Sequence, residues 1–211
     1  MARNNLGEAR RLMVESQIRR RGVSDTRVLQ AMETVPRHQF VADDQQLFAY
    51  DDYPLPIGHR QTISQPYIVA YMTEKLQVGP QHSVLEIGTG CGYQAAVLSC
   101  LARTVTSVEI IPELAQAAQE RLRKLGYSNV TVHRADGRNG WPAAAPFDRI
   151  ITTAAAADIP TALIGQLASD GRMIIPVGAT LFNQRLELVL KDAAGNVDFI
   201  PELAVRFVPL V

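Results

Sequence analysis

Glu86-Ile87-Gly88-Thr89-Gly90-Cys91-Gly92-Tyr93 gathers three glycines behind an acid, directly after the apolar run that begins at Ser83. Glycines where a strand turns into a helix let the backbone approach a ligand closely, in the crevice at the carboxyl ends of parallel strands. A dinucleotide cradle needs a further glycine three residues after the second, and that position here is Tyr93, which disfavours a pyrophosphate. A ligand without phosphates suits the turn, such as S-adenosyl-L-methionine, whose amino-acid end carries an ammonium that Glu86 can pair. The bland alternative is a tight strand-to-helix turn with no ligand. Glu109 stands 21 positions after Gly88, where α/β nucleotide binders keep the acid that accepts both ribose hydroxyls. It is followed by Ile110, and it could equally be a surface acid opening a helix before Pro112. Asp136-Gly137, after the next strand, is positioned to contact an adenine, although Asp-Gly is also an ordinary turn.

Other residues are informative by what they are not. Methyl transfer to exocyclic base amines needs an Asn/Asp-Pro-Pro-aromatic clamp after the fourth strand, and the chain reads Thr152-Thr153-Ala154-Ala155-Ala156 there. Cytosine C5 chemistry needs a nucleophilic thiol in a Pro-Cys pair, whereas Cys91 follows Gly90 and Cys100 follows Ser99. The two cysteines sit in no metal-ligand or disulfide spacing, so no metal and a reduced, cytoplasmic setting are expected.

The elements that must hold these residues follow from the pattern. Strand-like runs at Ser83 to Ile87, Thr104 to Val108, Val130 to Val132, Arg149 to Thr152 and Met173 to Val177 alternate with helix-permissive segments. Those helices include residues 94–102, one opening at Pro112 and stopping at Gly126, and one led by Asp158 and Pro160. The alternation predicts an α/β fold with a doubly wound, mostly parallel, Rossmann-like sheet. Leu186 to Leu190 and Val205 to Pro209 lie about 15 residues apart, around Gly195-Asn196 and Pro201, and suit an antiparallel pair at the C-terminal edge. Upstream, residues 6–35 read as N-terminal helix, with Ser24 as an N-cap and Pro36 as the stop. Residues 43–66 are too broken by proline and aspartate for a long helix and too apolar for disorder, which predicts an ordered functional loop.

The chain has 211 residues, equal numbers of basic and acidic side chains (21 each), and 47% apolar residues. Such a chain buries roughly 70% of its extended surface without staples. We read one domain over 1–211, with helices and a substrate loop in 1–80, the cofactor core in 81–180 and edge strands in 181–211. Zero net charge offers no global field for nucleic acid. Residues 1–21 hold six arginines, read as a solvated helix face. No secretory leader or apolar run near the ~18 residues of a membrane span is present.

The segment Tyr53-Pro54-Leu55-Pro56-Ile57-Gly58-His59-Arg60-Gln61-Thr62-Ile63-Ser64-Gln65-Pro66 is more specific. With Val84 to Tyr93, Pro146 to Ala155, Gly171 to Gly178 and Phe207-Val208-Pro209-Leu210, it closely resembles the protein-L-isoaspartate O-methyltransferase family over nearly the whole chain. The resemblance implies S-adenosyl-L-methionine as donor and the free carboxylate of isoaspartyl residues in proteins and peptides as acceptor. It also implies that the methyl ester collapses unaided to a succinimide, which starts repair. It implies Ser64 as the active-site residue and brings Thr62 and Ile63 to the cofactor. By the same resemblance the glycine turn is Gly88, Thr89, Gly90 and Gly92, the ribose acid is Glu109, and the adenine contact is Asp136-Gly137. A peptide groove walled by Tyr53 to Ile63 and Val205 to Leu210 makes Ile57, His59, Thr62, Val208 and Pro209 substrate contacts. His59 is expected on the rim, since a carboxylate acceptor leaves it nothing to deprotonate. Departures are Cys91 and Arg60, where the family usually has small residues. Read from the chain alone, Ser64 could instead cap the helix through Tyr67 to Leu76. Two other functions compete: a same-fold methyltransferase acting on a small molecule or RNA, and a non-catalytic nucleotide-binding regulatory domain. The oligomeric state is not encoded in any of these patterns.

Overall fold

The computed structural model describes residues 6–180 and 182–210. The expected helix over 6–35 is interrupted. α1 (Leu6–Leu12) runs on through a wider turn at Met13–Ile18 and a tight one at Arg19–Arg21, then stops at Gly22, whose φ is 100°. Chain direction resets, and α2 (Thr26–Thr34) starts from Asp25, not Ser24: the Asp25 carboxylate accepts from Arg27 N at 2.8 Å. The N–H groups of Ser24 and Asp25 both donate to Glu74 Oε1, at 2.6 and 2.7 Å, which ties this corner to the next helix. The broken segment after Pro36 is ordered, as expected, and ends in a hairpin of β1 (Leu55–Gly58) and β2 (Gln61–Ile63). His59 and Arg60 form its turn at φ 52° and 58°. The left-handed backbone there explains why a small residue is the usual choice at position 60. α3 (Pro66–Leu76) follows, with proline in its first turn.

The sheet then forms from β3 (Ser83–Ile87), β4 (Thr104–Glu109), β5 (Val130–Arg134), β6 (Phe147–Thr152), β7 (Leu167–Val177), β8 (Gln184–Lys191) and β9 (Val197–Val205). Their spatial order is β5-β4-β3-β6-β7-β8-β9; the first five pair in parallel and the last two antiparallel. α4 (Tyr93–Ser99), α5 (Pro112–Lys124) and α6 (Thr161–Gln166) are the crossovers. Parallel strands are buried on both faces, and the apolar runs divide accordingly. Val84, Ile151 and Ile174 join one core cluster with the N-terminal helices, while Leu85, Ile87, Ile150, Met173 and Ile175 join another with Leu163.

The chain leaves β3 in one direction to build β4 and β5, then returns to build β6 on the other side. That reversal opens a crevice at the carboxyl ends of β3 and β6, where open α/β sheets bind ligands.

The C-terminal edge is antiparallel, but its second strand is not Val205 to Pro209. β9 lies earlier, because Asp192 and Asn196 close a short turn with Gly195 at φ 89°, so pairing starts at once with Lys191 opposite Val197. The run after β9 has another destination. Gln184 holds the Phe207 backbone from both sides, accepting from its N–H at 2.6 Å and donating to its carbonyl at 3.1 Å. Val208 and Leu210 then clasp Ala155 at the end of β6, with bonds of 2.8 and 2.7 Å. This turn brings Val208 to Leu210 to the crevice.

Candidate active site

A cleft of about 760 Å³ occupies the reversal point, bounded by the ends of β3, β4 and β6, by Thr62, Ile63 and Ser64, and by Val208 to Leu210. Gly88, at φ 91°, opens it. A Cβ there would lie 2.5 Å from Thr153 Oγ1, which itself donates to the Gly88 carbonyl, so the turn tolerates no side chain. Glu109 is buried and braced from both sides: Oε2 accepts from Gly90 N at 2.8 Å and Oε1 from Ile111 N at 3.0 Å. Each oxygen keeps a lone pair, which suits a pair of ribose hydroxyls. Thr89, Gly90, Ile110 and Gly137 also face the cleft.

Glu86, Asp136 and Gly92 do not. Glu86 shares the α4-covered face of β3 with Val84, is fully buried and does not line the cleft. It cannot pair a ligand ammonium directly. Instead Ser107 Oγ donates to Glu86 Oε2, and Ser107 in turn bonds Thr89 Oγ1 at 2.6 Å, linking the acid to the cleft through two hydroxyls. Burial, aided by the charge of Glu109, pushes the Glu86 carboxyl up to about 8. Asp136 takes the turn reading: it caps the turn at Gly137–Asn139 through Arg138 N at 2.9 Å, and the Arg138 side chain holds its carboxyl below the usual range. Its neighbour Gly137 is what reaches the ligand space. Gly92 stands at the N-cap of α4, packed against Leu122 and Ala118, and serves the turn. Cys91 does line the cleft, but burial raises its thiol, so it stays protonated and is no nucleophile.

An open groove adjoins the cleft, walled by Pro54, Gln65 and Ile68 on one side and by Phe182, Gln184 and Ala204 to Val208 on the other. Thr62, Ser64, Thr153 and Val208 belong to both spaces. Ser64 is half-buried at that junction. It is not the cap of α3, because that position is Gln65. Pro209 lines the cleft and Ile57 packs against the glycine turn, 3.2 Å from where a Gly90 Cβ would sit. His59 lies exposed at the hairpin tip, outside both spaces. Residues the sequence reading missed are Thr153, noted only for the clamp it lacks, and Phe182 and Gln184, which no local pattern marks.

Charge separates the two spaces. The only charged side chain lining the cleft is Glu109, and the only one lining the groove is Arg206. A cationic nucleoside fits the first; a phosphate-bearing one meets no Lys or Arg. This is the layout of a Rossmann-like methyltransferase. The family model described as protein-L-isoaspartate(D-aspartate) O-methyltransferase matches residues 8–211, and the chain belongs to that family.

Relatives agree. The chain is 52% identical over 198 residues to protein-L-isoaspartate O-methyltransferase of Gloeobacter violaceus, covering 94% of this chain and 96% of that one. It is 55% identical over 186 residues to protein-L-isoaspartate O-methyltransferase 2 of Syntrophobacter fumaroxidans, covering 88% and 75%. A solved protein-L-isoaspartate O-methyltransferase superposes with a TM-score of 0.85 at 30% identity; the match covers 94% of this chain and 65% of that longer one. The fold also matches, with a TM-score of 0.81 at 23% identity, a Plasmodium falciparum structure titled as a putative enzyme of this kind in complex with S-adenosyl-L-homocysteine, covering 96% and 98%. The donor in this family is S-adenosyl-L-methionine, which the single anion and phosphate-free lining of the cleft accommodate. Among the described residues no helix is long and apolar enough to cross a membrane.

Proposed function

We propose that this protein transfers the methyl group of S-adenosyl-L-methionine to the free carboxylate of L-isoaspartyl residues in proteins and peptides, with Ser64 orienting that carboxylate. The observation that carries the reading is the shared wall: Ser64 and Thr62 border both the cleft beside Glu109 and the groove beside Arg206.

When bound, the donor supplies a methyl group on a sulfonium, and its transfer to a carboxylate oxygen leaves a neutral thioether and a neutral ester. The acceptor is already ionised near pH 7, so the chain needs no strong base. Its task is to hold an anionic oxygen in line at about 3–3.5 Å and to strip its water. A hydroxyl does this without neutralising the nucleophile, whereas a lysine would hold it in a tight pair. Glu109 and Gly137 hold the nucleoside end, Thr89 and Gly90 the turn beneath it. Thr62, Ile63 and Val208 exclude water from the junction. Selectivity for isoaspartyl over aspartyl backbone comes from the groove, open enough for an extended peptide with a kink.

The ester then collapses to a succinimide, whose hydrolysis returns some normal aspartate, so the activity serves protein repair. The cytoplasm suits it, since Cys91 and Cys100 are both free thiols. The test is transfer of labelled methyl to an isoaspartyl peptide and to its aspartyl twin. Only the isoaspartyl peptide is expected to be labelled above background; equal labelling would remove the assignment.

A further inference from the structure

The groove has an asymmetry that methyl transfer alone does not use. Its lining holds one charged side chain, Arg206, and no acid. The nearby cations are otherwise engaged: Arg185 pairs with Glu187, Lys75 with Glu202 and Arg21 with Asp52. Arg206 makes no ion pair among the described residues; its guanidinium carbon rests 5.4 Å from the ring centroid of Phe182. Phe182 is itself 87% exposed, a large apolar surface left in solvent beside the groove. A cation held against an aromatic face keeps its charge and its hydrogen-bond donors while losing much of its freedom, which prepares it for an anion. The acids of this region are spent: Glu187 is buried against Arg185, and Glu202 takes Tyr71 and Lys75. The anion the groove lacks must therefore come with the peptide.

We infer that Arg206 and Phe182 make this enzyme favour isoaspartyl sites with an aspartate or glutamate nearby in the peptide, an inference that rests on the peptide-methylating reading above. With the isoaspartyl carboxylate at Ser64, the peptide runs past Gln65 and Ile68 toward Arg206. A flanking carboxylate pairs with the guanidinium while its methylene stem lies on the Phe182 ring. A flanking lysine meets a like charge in the same place.

The experiment uses the full chain and one short isoaspartyl peptide made with Glu, Gln or Lys at each flanking position in turn. The quantity read is the Glu-to-Lys ratio of kcat/KM within one enzyme, so a loss common to all peptides cancels. At one or more positions the ratio is expected at about three- to tenfold in low salt, the scale of an exposed ion pair plus the matching repulsion, and it falls toward 1 as salt screens it. Arg206→Gln should flatten the ratio and Arg206→Glu should invert it. A wild-type ratio of 1 at every position, or a Glu preference that survives in Arg206→Glu, would overturn the inference. Activity of the wild type on the Gln peptide separates the two readings. Its absence removes the methyl-transfer assignment; its presence with a flat ratio removes only the role of Arg206.

Discussion

The cleft beside Glu109 and the groove beside Arg206 share Thr62, Ser64, Thr153 and Val208 and differ in nearly everything else. The cleft is made largely of main chain at fixed places in a parallel sheet: the glycine turn after β3, the end of β4, the turn after β5 and the end of β6. Its acid is braced by two backbone N–H groups. The groove is assembled from side chains of a hairpin, one face of α3, and two segments more than a hundred residues further on. A site made of backbone is rigid and intolerant of substitution; a site made of side chains can vary in preference while its chemistry stays put.

The sharpest way to break that comparison is Gly88→Ala. A non-glycine residue at φ 91° costs about 1–3 kcal/mol, and the methyl group would also press on Thr153 Oγ1. Melting temperature should fall and donor affinity should weaken tenfold or more; a variant with normal melting and normal calorimetric binding would show that the cleft is not backbone-limited. Next comes Glu109→Ala, expected to weaken the donor by about 1–3 kcal/mol, the worth of hydrogen bonds to a charged group. An unchanged dissociation constant in the folded variant would take Glu109 out of the site.

Ser64→Ala stands at the boundary and should divide the two spaces. We expect it to fold normally, to lose at least ~10-fold in kcat on an isoaspartyl peptide, and to bind the donor within about 1.4 kcal/mol of wild type. The loss stays below that of an oxyanion-hole donor, because charge here fades in the transition state instead of building up. Lowered melting temperature with intact turnover would make Ser64 structural.

The gentlest test is of pH. The Glu86 carboxyl is raised to about 8 in the folded chain, so between about pH 4.5 and 8 the folded state holds a proton that the unfolded state has lost. Stability from this group is therefore complete at low pH and drains away as pH rises, by at most about 1.4 kcal/mol per unit. Glu86→Gln should melt higher relative to wild type at pH 7 than at pH 6, by roughly 2–4 °C for each kcal/mol. Parallel melting curves across this range would mean that the acid is ionised in its pocket.

The same contrast explains what could be read without coordinates. The parallel strands are apolar on both faces, so Ser83 to Ile87 and Arg149 to Thr152 announce themselves. The glycine turn and Glu109 follow from their spacing to those strands. The second edge strand is hidden, because β9 carries Asp198, Pro201 and Glu202 and shows mostly exposed side chains with no alternation. The apolar run at Val205 to Pro209 looked more like a strand because it too is packed, but against Gln184 and Ala155, not as an edge. Glu86 misled for a related reason: one residue's shift along a strand changes which face a side chain takes, and the acid falls on the covered face while Ile87 and Gly88 border the cleft. Phe182 and Arg206 gave no signal, since their partnership exists only after the sheet brings the two segments side by side.

The clasp of Val208 and Leu210 on Ala155 also fixes an order of events in biosynthesis. All nine strands lie upstream of residue 206, so the sheet can pair as the nascent chain emerges, before the common wall of the cleft and the groove has been made. The ribosome thus delivers a folded but unfinished enzyme. Catalytic competence comes with the five residues from Arg206 to Leu210, as they turn at Gln184 and dock back on the end of β6.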